Sequence, residues 1–219
     1  SNSSWNLVNF RAGLIRELIN QKHQVICIIP NGDDSNFLQN IGASIQRVHL
    51  NPVGTNIFGE LRYFLELFFI LNQIKPEYYL GFTIKPNIYG GLICRILKIQ
   101  SLLNITGLGS TFLKNNLFTK IIFLFYKVSL GAAHRIFFQN QDDKELFCKL
   151  NILSEQKSSI IPGSGVDLKK YSAFYRPTEE IKIYKKKPAF CFLMISRLLL
   201  DKGLLEFIDA IKILKNENR

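Results

Sequence analysis

Apolar positions follow two alternating rhythms along the chain. Leu7, Phe10, Leu14 and Leu18 recur at helical spacing, with Arg11, Arg16 and Glu17 off that stripe, which predicts one amphipathic helix over 6–20 behind the polar opening loop Ser3–Asn6. QVICIIP (24–30) is a buried-type strand closed by Pro30 and the turn NGDD. Asp34-Ser35 can cap a short helix through Ile41, which Gly42 stops. SIQRVHL (44–50), EYYLGFT (77–83), SLLNITG (101–107), HRIFFQN (134–140) and KSSIIPG (157–163) extend the strand series. Between them NIFGELRYFLELFFILNQIK (56–75), PNIYGGLICRILKI (86–99), LFTKIIFLFYKVSLGAA (117–133) and DDKELFCKLNI (142–152) read as helices.

Strand and helix alternate with no hairpin signal, the pattern of a parallel sheet covered on both faces. The expected fold is therefore α/β, a Rossmann-like parallel sheet of about six strands in 24–161 flanked by helices. Such sheets place ligands at the carboxyl ends of their strands, so the loops after strands carry the candidate chemistry. After Ile161 the rhythm breaks, and the expected organisation is an N-terminal domain at 1–162, a linker at 163–187, and the start of a second α/β domain at 188–219. That start comprises a strand, PAFCFLMISR, and a helix, DKGLLEFIDAIKILKN. One strand and one helix cannot bury a core, so the second domain is expected to be truncated; the first lacks the strand that usually precedes a first helix in such folds.

Charge sharpens the picture. Among 219 residues, 28 Lys and Arg face 17 Asp and Glu, a net charge of +11 that favours anionic partners. No acidic residue lies between Glu77 and Asp142, whereas Lys85, Arg95, Lys98, Lys114, Lys120, Lys127 and Arg135 do. Aromatic residues interleave with them around 112–126, as on a surface that meets acidic lipid; a core helix with surface lysines is the plainer reading. No nucleic-acid-binding motif accompanies them. No signal peptide opens the chain and no run is long and apolar enough to span a bilayer. Cys27, Cys94, Cys148 and Cys191 sit singly in apolar stretches, which excludes a CxxC zinc or redox site. The three histidines stand at no triad spacing, and Asp142-Asp143 reads as the acidic first turn of a helix.

In SRLLLDKG, Arg197 closes a strand and Lys202 opens a helix, where a guanidinium fork, an ammonium and free helix N–H groups together suit a diphosphate; two solvated charges beside a turn is the alternative. In FTIKPNIYGG, Lys85 and Asn87 follow a strand end, with Lys85 either facing an anionic substrate or solvated. NITGLGS offers Thr106 and Gly107 in a glycine-containing loop after a strand, either a ligand approach or a plain turn.

Pro162, Gly165, Val166 and Asp167, followed by Arg197, Lys202 and Gly203, resemble the interdomain segment and first strand–helix of GT-B glycosyltransferases of retaining family 4, with Ser196 in place of the usual Gly. SWNLVNFRAGLIREL, FTIKPNIYGG, NITGLGSTF and FQNQDD are similar to a branch that builds bacterial polysaccharides and lipid-linked oligosaccharides. The resemblance implies sugar transfer with retention from a nucleoside-diphosphate sugar to an acceptor hydroxyl, on a lipid-linked saccharide or polysaccharide. It implies that Arg197 and Lys202 bind the donor diphosphate with no metal or other cofactor, and that Trp5 and Asn6 lie beside donor and acceptor, with Lys85, Asn87, Thr106 and Gly107 on the acceptor side of the cleft. The family's paired glutamates would lie beyond residue 219, so this stretch alone is expected to be inactive. The expected location is cytoplasmic, peripheral at an anionic inner membrane face, with no nucleic acid partner. The competing reading is a non-catalytic nucleotide- or nucleic-acid-binding Rossmann module; a dinucleotide oxidoreductase lacks its GxGxxG.

Overall fold

The computed structural model describes residues 1–52, 54, 56–107, 117–168, 192–196, 198 and 202–216. The chain forms two compact units, Ser1–Val166 and Asp167–Arg219.

The first unit opens with α1 (Ser4–Phe10) and α2 (Ala12–Asn20), not with one helix. The polar opening is helical because the Ser3 hydroxyl caps α1 by accepting from the Asn6 N–H. The break falls at Arg11, whose φ of −130° leaves the helical region. Its side chain, off the apolar stripe, is buried all the same.

Among the described residues six strands follow as the rhythm predicted: β1 (Ile26–Pro30), β2 (Ser44–Val48), β3 (Tyr78–Gly81), β4 (Gln100–Ile105), β5 (Arg135–Phe138) and β6 (Ser158–Ile160). Every pairing is parallel. The connecting helices are α3 (Asn36–Asn40), α4 (Ile57–Ile74), α5 (Ile84–Leu97), α6 (Leu117–Gly131) and α7 (Gln141–Lys149). Asn56 caps α4 by accepting from the Phe58 N–H, and Lys75 ends it with a left-handed φ of 48° before Pro76.

The strands form two sheets rather than one: β1–β2, and β3–β4–β5–β6. Periodicity marks a strand but not its neighbour, so the division was invisible in the sequence. Side chains join the two sheets where no ladder does. Ile28 of β1 packs on the larger core, which contains Leu67, Leu71, Ile93, Leu103, Ile136, Phe138 and Phe147. Phe82, just after β3, packs on the smaller one around Leu7, Ile15, Cys27, Ile29 and Leu38.

Close approach dictates the glycines of α5. A Cβ on Gly90 would stand 2.2 Å from the Tyr79 hydroxyl, which donates to the Pro86 carbonyl. One on Gly91 would stand 2.9 Å from Ser129 Cβ, so α5 and α6 pack at small-residue distance.

In the second unit α8 (Leu204–Asn216) forms as predicted. The strand expected over 188–197 does not form across its described residues 192–196, and Phe192, Leu193 and Ile195 are exposed. A strand is stable only against a partner ladder, and none lies among the unit's described residues.

Candidate functional site: the carboxyl edge of the first unit

All six strands run parallel within their sheets, so their carboxyl ends gather the loops that sequence reasoning singled out. The opening segment lies across the ends of β1 and β3. The Asn2 N–H donates to the Thr83 hydroxyl (3.2 Å), and the Ser4 N–H to the Asp33 carboxylate. Trp5 is 63% exposed and meets Phe10 edge to face, with ring centroids 5.4 Å apart. Asn6 is half-buried, its side-chain oxygen accepting from the Ser1 hydroxyl.

Lys85 and Asn87 occupy the first turn of α5, yet neither is a solvated loop residue. The Lys85 ammonium forms an ion pair with Glu60 and donates to the carbonyls of Asn51 (2.7 Å) and Gly54. Three partners match the three donors of an ammonium, so this cation is committed to tying the loop before α4 to α5. Asn87 is buried, donating to the Asn104 carbonyl at 2.9 Å, while its own side-chain oxygen has no partner. Thr106 is exposed and Gly107 half-buried beyond the end of β4, with a φ of 137° at Gly107 that only glycine adopts readily. The structure thus brings the ends of β1 and β3 together with Asn6 and Thr83, whereas the Lys85 ammonium is taken up by Glu60, Asn51 and Gly54.

Lys202 lies in the second unit, exposed at the approach to α8. Arg197 falls outside the described residues.

Sequence reasoning missed three members of this edge. Arg11, read as off the buried face, has its guanidinium 4.6 Å from the Phe82 ring centroid. Ser164, beyond β6, accepts from Arg11 Nη1 (3.0 Å) and from Gln139 Nε2 (3.1 Å), the latter just after β5. Asn104, at the end of β4, carries a second unpartnered buried amide oxygen. The only sequence signal for Arg11 was its place within the family-like stretch SWNLVNFRAGLIREL.

Two cavities of about 410 and 460 Å³ lie at the opposite, amino end of the strands: Gln100, which opens β4, lines both, and His134, which precedes β5, lines the first. They stand where a parallel sheet does not place its chemistry.

In the first unit, exposed apolar side chains concentrate on two helices. α4 presents Phe58, Leu61, Leu65 and Phe69 along one face, with Ile57 at its start. α6 buries Tyr126 and Leu130 while exposing Ile121, Leu124 and Phe125 beside exposed Lys127. Among the described residues no helix is long and apolar enough to cross a membrane, and no group of His, Cys, Asp or Glu is arranged to hold a metal.

A family model described as "Glycosyl transferase 4-like" matches residues 2–140. Over 99% of its length the chain is 28% identical to the N,N'-diacetylbacillosaminyl-diphospho-undecaprenol alpha-1,3-N-acetylgalactosaminyltransferase of Campylobacter jejuni, and it spans 60% of that relative. The fold is similar to Anabaena HepE solved with UDP-glucose: TM-score 0.53 at 11% identity, covering 85% of this chain and 46% of that one. The HepE structure with UDP and glucose gives a TM-score of 0.52 at 11% identity, over 79% of this chain and 45% of that one.

Proposed function

The chain belongs to the glycosyl transferase 4-like family, and from that premise we propose that it is part of an enzyme moving a sugar from a nucleoside-diphosphate sugar to a lipid-linked saccharide, with retention. The match over residues 2–140 carries the reading. The printed activity of the Campylobacter relative, on an undecaprenol-diphosphate-linked substrate, supports the acceptor class. UDP-glucose in a structure of similar fold supports the donor class.

In this reading Arg197 and Lys202 bind the donor diphosphate. As the bond from the anomeric carbon to the diphosphate oxygen breaks, negative charge grows on the leaving group, and the two cations stabilise it more than they stabilise the intact donor. The acceptor hydroxyl oxygen forms the new bond to that carbon and its proton leaves with the diphosphate. No metal or other cofactor is invoked. Trp5, Asn6, Thr106 and Gly107 line the acceptor side at the strand ends, with Lys85 and Asn87 holding that rim in place.

Calorimetric titration of UDP and GDP into the full-length protein tests the donor site. Loss of one charge-assisted contact in Arg197→Ala or Lys202→Ala is expected to weaken binding by about 2–3 kcal/mol. Unchanged affinity in both variants refutes the assignment.

The enzyme is further proposed to work at the cytoplasmic face of a membrane. The acid-free stretch 78–141, with its seven basic residues, and the exposed apolar faces of α4 and α6 support that location. Co-sedimentation with vesicles that contain or lack anionic lipid checks it: binding confined to anionic vesicles and lost in about 0.5 M salt is expected. Indifference to both vesicles points to a soluble acceptor.

A further inference from the structure

Arg11 combines burial, charge and an unused hydrogen-bonding edge. Its residue is 6% exposed, and it takes part in no ion pair among the described residues. Nη1 donates to Ser164 Oγ (3.0 Å) and to the Phe10 carbonyl (3.4 Å), both neutral acceptors. Nε is buried with no partner, and Nη2 makes no hydrogen bond among the described residues.

Nε–H and Nη2–H lie on the same edge of a guanidinium and form the fork that grips two oxygens of one carboxylate or phosphate. That is the edge left without a hydrogen bond among the described residues. The Phe82 ring beneath the guanidinium compensates part of the desolvation, but a buried cation without an anion remains costly. Burial alone pushes the guanidinium pKa below its usual value, the mark of a charge the fold does not itself neutralise.

Location narrows the missing partner. Phe82 follows β3 and Ser164 follows β6, both at carboxyl strand ends, and Ser164 sits between Gly163 and Gly165, which carry φ of 74° and 70°. Nη1 ties Arg11 to this turn and so fixes the plane of the fork.

We propose that Arg11 is an anion-binding residue of the first unit, holding phosphate oxygens of a diphosphate through its Nε and Nη2 edge. The inference rests on the glycosyltransferase reading only for the origin of that diphosphate, a nucleotide donor or a polyprenyl acceptor.

The test uses inorganic pyrophosphate on the 219-residue chain carrying Arg197→Ala and Lys202→Ala, which removes the proposed donor cations, followed by calorimetry and thermal melting. The background protein is expected to bind pyrophosphate and melt higher with it. Arg11→Met, close in volume and uncharged, should weaken binding at least tenfold while melting at or above the background temperature without anion. Arg11→Lys keeps the charge but not the fork; it should fold and still bind several-fold more weakly, which keeps the question decidable if Arg11→Met does not fold.

Pyrophosphate affinity in Arg11→Lys and Arg11→Met equal to that of the background protein, or no binding by the background protein, overturns the proposal. UDP and geranyl diphosphate form the two source arms. The ligand whose affinity depends on Arg11 names the donor or the lipid acceptor, and dependence in neither overturns the proposal. Failure of the donor reading is seen separately, in Arg197→Ala and Lys202→Ala with Arg11 intact.

Discussion

Lys85→Met separates a substrate-facing lysine from a structural one. The Lys85 and Glu60 side chains are 17% and 20% exposed, and the ammonium also holds the carbonyls of Asn51 and Gly54. Removing one partner of a fully buried pair costs about 3–5 kcal/mol; the residual exposure of this pair lowers the expectation to about 2–4 kcal/mol. At about 2–4 °C per kcal/mol for a unit of this size, the middle of that range corresponds to a fall of roughly 6–12 °C in Tm. Urea unfolding followed by circular dichroism gives the free energy directly. Glu60→Gln on the Lys85→Met background removes the stranded carboxylate, so the double variant should be more stable than the sum of the singles, with a coupling of about 1–2 kcal/mol. If Lys85→Met unfolds within about 0.5 kcal/mol of the parent and the two changes are additive, the ammonium is not committed to this network. It would then be free to meet an anionic substrate, as its place after a strand end had suggested.

Gly90→Ala sets a Cβ against the Tyr79 hydroxyl and breaks its bond to Pro86, so despite the better helix residue it should destabilise by about 1–3 kcal/mol in the same urea assay. Cys94 lies buried with its thiol pushed up to about 12 by burial, so it should resist a thiol reagent at pH 8 until denaturant is added, whereas half-buried Cys148 should react in the folded protein. Burial would raise the Glu66 carboxyl, but the His49 N–H, Arg62 and the His49 ring outweigh it and hold its pKa below the usual glutamate value. Its contribution is therefore present above about pH 4.3 and lost as the pH falls through the lower folded-state value; Glu66→Gln should flatten the urea-midpoint profile in that acid range. Arg62 can only donate, so His49 Nε2 accepts from it and Nδ1 carries the proton shared with Glu66.

The sequence by itself determined the series of elements in the first unit, because hydrophobic periodicity is a local property and each strand and helix carries its own. It also determined that the sheets would be parallel, since no tight turn joins any two strands. The motifs identified the family, because SWNLVNFRAGLIREL and the stretch after β3 are contiguous in the chain. Tertiary structure alone decided which strands share a ladder, and it divided six strands into two sheets joined through Ile28 and Phe82. It also decided the surroundings of two cations. Lys85 looked available from its loop position, but its partners come from residues 51, 54 and 60, 25–34 positions away. Arg11 lies off the apolar stripe in helical phase, but it is enclosed by Phe82 and by Ser164, the latter 153 positions distant. Pairing and burial depend on what the fold places alongside a residue, and neither is encoded within a few positions of the residue itself.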